Sequence, residues 1–142
     1  MNGNLKYYVL AVVMIVILSV CFIVFADGGG SDINAFLNSY GYEISNRPIE
    51  HSRIIIPKPL DAVFAAYNEI QKKAGFDLTD YEGKEGMRYT YEIKNYPGGI
   101  DGVRANVIVA DGKIIGGDIC TVRLDGFMHE IKPVKDISSS DY

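Results

Sequence analysis

The chain opens with an uncharged stretch of 20 residues, 7–26, and beyond residue 31 its apolar positions follow two successive rhythms, first helical and then alternating. A helix of 20 residues is about 30 Å long, the thickness of a bilayer's hydrocarbon core. The stretch holds 13 Val, Ile, Leu and Phe residues, which together favour insertion by about 4 to 8 kcal/mol. The pattern therefore predicts a transmembrane anchor over 7–26, preceded by a short cytoplasmic N-terminus over 1–6. Lys6 is the only charged side chain before the run, and none of the opposite flank up to Arg47 is basic. The positive-inside bias then places the rest of the chain outside the cell. Two processing alternatives stay open: cleavage as a signal peptide near Ala26, and lipidation at Cys21. All three deliver the same outer portion.

Residues 27–31, Asp-Gly-Gly-Gly-Ser, read as a flexible linker. After it, Ile33, Phe36, Leu37 and Tyr40 recur at helical spacing behind Asp32 as cap, with Gly41 as the left-handed stop. Residues 42–45 read as a short strand, and 49–56 as extended chain ended by Pro57 and Pro59. A second helix is expected after Asp61. Leu60, Val63, Phe64, Tyr67, Ile70 and Ala74 would mark its buried face, and Asn68, Glu69, Gln71, Lys72 and Lys73 its solvent face.

From Met87 onward the rhythm is two. Met87, Tyr89, Tyr91 and Ile93 alternate with Arg88, Thr90, Glu92 and Lys94, and Val103, Ala105, Val107 and Val109 with Arg104 and Asn106. Asp111-Gly112 marks a tight hairpin. The strand after it, 113–124, does not keep one parity, which points to a bulge at Gly116-Gly117. Ile115 and Ile119 would share a face. The fold class is thus α+β: an N-terminal transmembrane helix, then a domain over 32–135 with two helices packed on an antiparallel sheet. That sheet is a three-stranded C-terminal meander, open to extension by the earlier strands. Residues 136–142 read as a disordered tail.

Charge and cysteine content narrow the function. After residue 26 there are 13 Lys and Arg against 18 Asp and Glu, a net −5, which argues against nucleic acid as a partner. Cys21 and Cys120 are the only cysteines and fall on either side of the linker, so no intramolecular disulfide is expected. Cys120, flanked by Ile119 and without a neighbouring His or Lys, reads as an inert core thiol.

Candidate chemistry is sparse. His51 and His129 lack metal-ligand spacing, and a zinc set of Asp118, Cys120 and His129 matches no known pattern. No G-x-S-x-G is present. No catalytic, cofactor-binding or metal residue is therefore proposed, and no cofactor. Tyrosine is abundant, and Tyr joins apolar area to a polar tip. Tyr89, Tyr91, Arg104, Gly117 and Asp118 are the candidate interaction surface, with Gly116-Gly117-Asp118 open to strand addition by a peptide partner.

Five groups of residues carry a family resemblance. They are the segment Phe36 to Gly41, the helix from Leu60 with its Tyr-Asn-Glu-Ile-Gln-Lys-Lys run, Arg88 to Glu92, Val103 to Asn106, and Gly116 to Cys120 followed by Asp125 to His129. Together they resemble a bacterial, membrane-tethered family known as domain of unknown function 4830, over about 32–131. The strand–turn–strand pattern around 103–118 is also similar to PepSY-type extracytoplasmic domains. The resemblance implies an envelope protein and transfers no catalytic residues. The expectation is a single-pass membrane protein with an extracytoplasmic, non-enzymatic binding or regulatory module for an envelope protein or peptide. Alternatives are a small envelope hydrolase or lyase using His129 with Asp118 or Asp125, and a structural spacer.

Overall fold

The computed structural model describes residues 32–142. The expected membrane segment 7–26, its flank 1–6 and the linker 27–31 lie outside the described residues. Among the described residues no helix is long and apolar enough to cross a membrane.

Five strands form one antiparallel meander in chain order: β1 (Glu50–Ile55), β2 (Glu85–Glu92), β3 (Val103–Ala110), β4 (Lys113–Thr121) and β5 (Met128–Glu130). The expected three-stranded meander is its centre, extended by β1 on one edge and by β5 on the other. β5 has only three residues, too few for alternation to register in the sequence. The residues of 42–45 contribute a single bridge, Ile44 to Ile93. At the β3–β4 hairpin Asp111 (φ 51°) and Gly112 (φ 70°) both take positive φ, the geometry that matches the twist of the flanking strands.

Both faces of the sheet are covered, each by one helix. Helix α1, residues 32–39, buries Ile33 and Leu37 against Tyr91, Val103, Ala105, Val107 and Ile119. Gly41 (φ 87°) ends that helix. Helix α2 (Ala62–Lys73) starts at Asp61, whose carboxylate accepts from Phe64 N, and lies over the opposite face. There Ile56, Leu78, Ile108, Ala110 and Ile115 form a second, smaller core, with Phe64 and Tyr67 packed on it. Adjacent residues Val107 and Ile108 thus enter different cores, which is why β3 is apolar on both parities.

The strand bulge is real but displaced by one residue. Ile108 pairs with Gly116 and Val109 with Ile114, so Ile115 is the extra residue. The bulge turns Ile115 toward the α2 core, and Ile115 and Ile119 end on opposite faces rather than sharing one. Neither Gly116 nor Gly117 has positive φ. Their missing side chains serve close approach instead. A Cβ on Gly116 would lie 2.7 Å from Gln71 Oε1, and one on Gly117 would meet the Asn106 carbonyl oxygen and lie 2.7 Å from Ile131 Cδ1.

The C-terminal residues, where composition points to a disordered tail, are tied to the domain. Lys132 Nζ donates to Asp141 Oδ1 at 2.5 Å, Ser138 and Asp141 cap each other reciprocally, and Tyr142 packs edge-on against Tyr96. Local charge pairing and the aromatic contacts of Tyr142 with Tyr96 and Phe127 hold these residues against the domain.

Candidate binding cleft

Helix α2 does not bury the face its sequence advertises. The residues it buries are Asn68 and Gln71, both amides. Gln71 is fully buried, and its Oε1 accepts from Gly117 N at 2.6 Å. Asn68 Oδ1 accepts from Leu78 N at 2.7 Å, and its Nδ2 donates to Asp77 at 2.8 Å. These bonds dock the helix through its polar side, and the paired glycines make room for it. Of the apolar residues expected in the core, Phe64 and Tyr67 are half-buried on the second core, Ile70 is half-buried, and Val63 is 76% exposed at an opening.

The opening is a cavity of about 460 Å³ between α2 and the sheet, walled by Val63, Phe64, Tyr67, Ile70, Ile108 and Met128 among others. That volume falls within the range of small-molecule sites. The floor is polar. Thr90, Asn106, Asp118 and Glu130 are successive register partners across β2 to β5, so four polar side chains stand in one row on the α2 face.

A directed chain of hydrogen bonds runs along this row. Thr90 Oγ1 donates to Asn106 Oδ1 at 2.8 Å, and Asn106 Nδ2 donates to Asp118 Oδ2 at 2.9 Å. Tyr67 completes it from the helix, its hydroxyl donating to Asp118 Oδ1 at 2.6 Å. Burial, then the charge of Asp118, pushes the Tyr67 phenol well above its ordinary range, so the tyrosine keeps its proton and remains a donor. Both oxygens of Asp118 therefore accept from neutral groups. The residue is 2% exposed. Arg88 lines the same cleft. Its Nε is buried with no partner among the described residues, and its outer nitrogen lies 3.9 Å from Glu50.

Cys120 stands beside this row rather than inside a core, half-buried, its Sγ accepting from Asn106 Nδ2 at 3.4 Å. Burial and the neighbouring Asp118 carboxylate push its thiol up to about 11. It is held as a thiol at neutral pH, which makes it a poor nucleophile.

The structure does not gather the residues singled out from the sequence into one patch. Tyr91 is fully buried in the α1 core, and Tyr89 lies at that core's margin. Gly117 is buried in β4. Arg104 is half-buried on the opposite face to Tyr91 and pairs in register with Cys120. Asp118 alone lines the cleft. Strand alternation separated these residues because neighbours in sequence point to opposite faces.

His129 is likewise parted from both proposed acid partners. It pairs with Ile119 and faces the α1 side, whereas Asp118 faces the α2 side. Its Nδ1 is 2.7 Å from the Glu130 carbonyl oxygen, which can only accept, so Nδ1 carries the proton. Nε2 then accepts from the Tyr96 hydroxyl at 2.8 Å. Asp125 sits in the exposed β4–β5 turn, 3.5 Å from Arg123. The zinc set of Asp118, Cys120 and His129 fails for the same reason, and among the described residues no group of three or more His, Cys, Asp or Glu could hold a metal ion.

Tyr67, Arg88, Thr90, Asn106 and Gln71 were not identified as site residues from the sequence. One signal was available. The polar parity of the strands, Arg88, Thr90, Asn106 and Asp118, marks one continuous face once register is assigned.

These elements define a small α+β domain whose sheet carries a polar-floored, apolar-walled cleft beneath one helix. The chain belongs to the family described as a domain of unknown function, DUF4830, which it matches over residues 36–119. The match runs from within α1 to Ile119 in β4, leaves β5 outside, and includes Arg88, Asn106 and Asp118. No curated protein and no solved structure matches the chain.

Proposed function

We propose that this protein is a membrane-anchored, extracytoplasmic binding module of the cell envelope, and that its ligand occupies the cleft beneath α2. The observation that carries the reading is the incompletely buried apolar stripe of α2, exposed Val63 with half-buried Phe64, Tyr67 and Ile70, above an ordered polar floor. A helix normally turns such a stripe into a core, because each buried aliphatic side chain stabilises by about 1.5 to 3 kcal/mol. Here polar anchoring by Asn68 and Gln71 holds the stripe open. Location rests on the uncharged run 7–26 and its flanking charges.

Two measurements test this. The full chain in phospholipid nanodiscs, labelled at Ile, Leu, Val and Met methyls, is titrated with the neutral probe N-acetyl-leucyl-leucinamide. Methyl shifts at Val63, Ile70, Ile108 and Met128, with Ile33 and Leu37 unmoved, are expected. Shifts absent from the cleft would overturn the binding reading. A reporter fused at the C-terminus should be active outside the cytoplasm, and a cytosolic, membrane-free reporter would overturn the location.

A further inference from the structure

We infer that the cleft selects a zwitterion with an apolar body, namely a short apolar peptide of two to three residues with both termini free. This rests on the cleft being the binding site and specifies what the site selects. Two incompletely satisfied groups carry it, the carboxylate of Asp118 and the Nε–H of Arg88, whose outer nitrogen pairs at 3.9 Å with Glu50. Asp118 is a buried carboxylate, 2% exposed, held by the neutral donors Tyr67 and Asn106. No cation among the described residues lies within ion-pair distance of it. A buried charge without an opposite partner is expensive, and the cost is recovered when a cation arrives. An ammonium group seated on Asp118 would do so, and it would enter beside the aromatic ring of Phe64, whose face also favours a cation.

Arg88 supplies the opposite half. Its Nε–H is buried and lacks an acceptor among the described residues, so the cleft also presents an unused donor on a guanidinium. A singly charged ligand would satisfy one of these groups and bring a like charge toward the other. A zwitterion satisfies both.

Spacing sets the length. Arg88 is on β2 and Asp118 on β4, two strand intervals across and two residues along the strand from each other, or roughly 12 Å between their backbones. The arginine side chain shortens that gap. Two extended residues reach about 7 Å and three about 10 Å, so a peptide of two to three residues suits a gap that side-chain reach narrows from both ends. The apolar walls at Val63, Ile70 and Met128 then receive aliphatic side chains.

The test is calorimetric titration of the full chain in nanodiscs with leucyl-leucine, N-acetyl-leucyl-leucine, leucyl-leucinamide and N-acetyl-leucyl-leucinamide. Leucyl-leucine is expected to bind at least tenfold more tightly than either singly blocked form. Asp118→Asn should remove the advantage of the free amine, and Arg88→Gln that of the free carboxylate, each by tenfold or more. Val63→Glu, on the exposed rim, should abolish binding of all four without unfolding the domain. Its thermal transition checks the fold independently.

Equal binding of all four peptides, unaffected by Asp118→Asn and Arg88→Gln, would overturn the zwitterion inference while leaving the cleft reading intact. A preference for leucyl-leucinamide or for N-acetyl-leucyl-leucine would replace it with a cation or an anion site. No binding by any of them, together with no methyl shifts in the cleft, would remove both readings.

Discussion

Asn106 and Asp118 stand directly opposite each other on β3 and β4, and the Asn106 amide donates to Asp118 Oδ2 at 2.9 Å. Thr90 orients that amide by donating to its oxygen. Asn106→Ala should therefore leave Thr90 without an acceptor and Asp118 short of a donor. The expected loss is about 1 to 3 kcal/mol, read from urea unfolding. Adding Thr90→Val to Asn106→Ala should cost far less than either change alone predicts, since the two share one interaction. Additive losses would show that the row is not a connected chain.

The glycines of β4 are needed for space. Gly117→Ala should destabilise by about 1 to 3 kcal/mol through overpacking, because its Cβ would meet the Asn106 carbonyl and Ile131. Thermal stability equal to the wild type would show that the contact relaxes freely.

Tyr91 offers a change in the other direction. Its ring is fully buried, but its hydroxyl has no partner among the described residues. Tyr91→Phe removes a desolvated polar atom and keeps the packing, so stability should be unchanged or higher by up to about 1 kcal/mol. A clear loss in urea unfolding would reveal a hydrogen bond to that hydroxyl.

Cys120 should react slowly with a disulfide reagent at pH 8, and its rate should climb as pH approaches about 11. Burial is the first cause of that shift and Asp118 the second. Asp118→Asn removes the second, so the thiol should ionise at lower pH and react faster at pH 8. An unchanged rate would mean that burial alone controls the thiol.

Asp141 gives an acid-sensitive tie. Its hydrogen bond from Lys132, then those from Ser138, hold its carboxyl at about 2, below the ordinary 3.8. A group depressed on folding stabilises fully above its unfolded value and loses that contribution as pH falls through the folded one. The Tyr142 ring signals should therefore stay folded-like at pH 5 and shift between about pH 4 and pH 2. Lys132→Met should move that transition to higher pH. A transition insensitive to this change would show that Asp141 does not tie the C-terminal residues to the domain.

Much of the fold was legible because it is written in local rhythm. Asp61 starts α2, Asp111-Gly112 makes the hairpin, and the alternation of Tyr89, Tyr91, Val103, Ala105 and Val107 marks a core face. Each depends on residues a few positions apart, where backbone preference and side-chain period act directly. The family, too, was recognisable from these segments and is shown by the match over residues 36–119.

The cleft was not legible, because it depends on one residue of register. Continued without interruption from the pair Ala110 and Lys113, the hairpin would set Gly117 opposite Asn106. The extra residue at Ile115 advances the strand and sets Asp118 there instead. The orientation of α2 was hidden for a related reason. Hydrophobic period predicts that Val63 and Ile70 face inward, since apolar burial dominates when nothing else intervenes. Gln71 finds its backbone partner only where two side-chain-free residues of β4 come beneath it. The chain by itself determined the two helices, the strands β1 to β4 with their hairpin turn, and the apolar segment 7–26. Tertiary structure alone decided which polar groups meet and which apolar face stays open, because those outcomes follow from cross-strand register and close packing between residues distant in sequence.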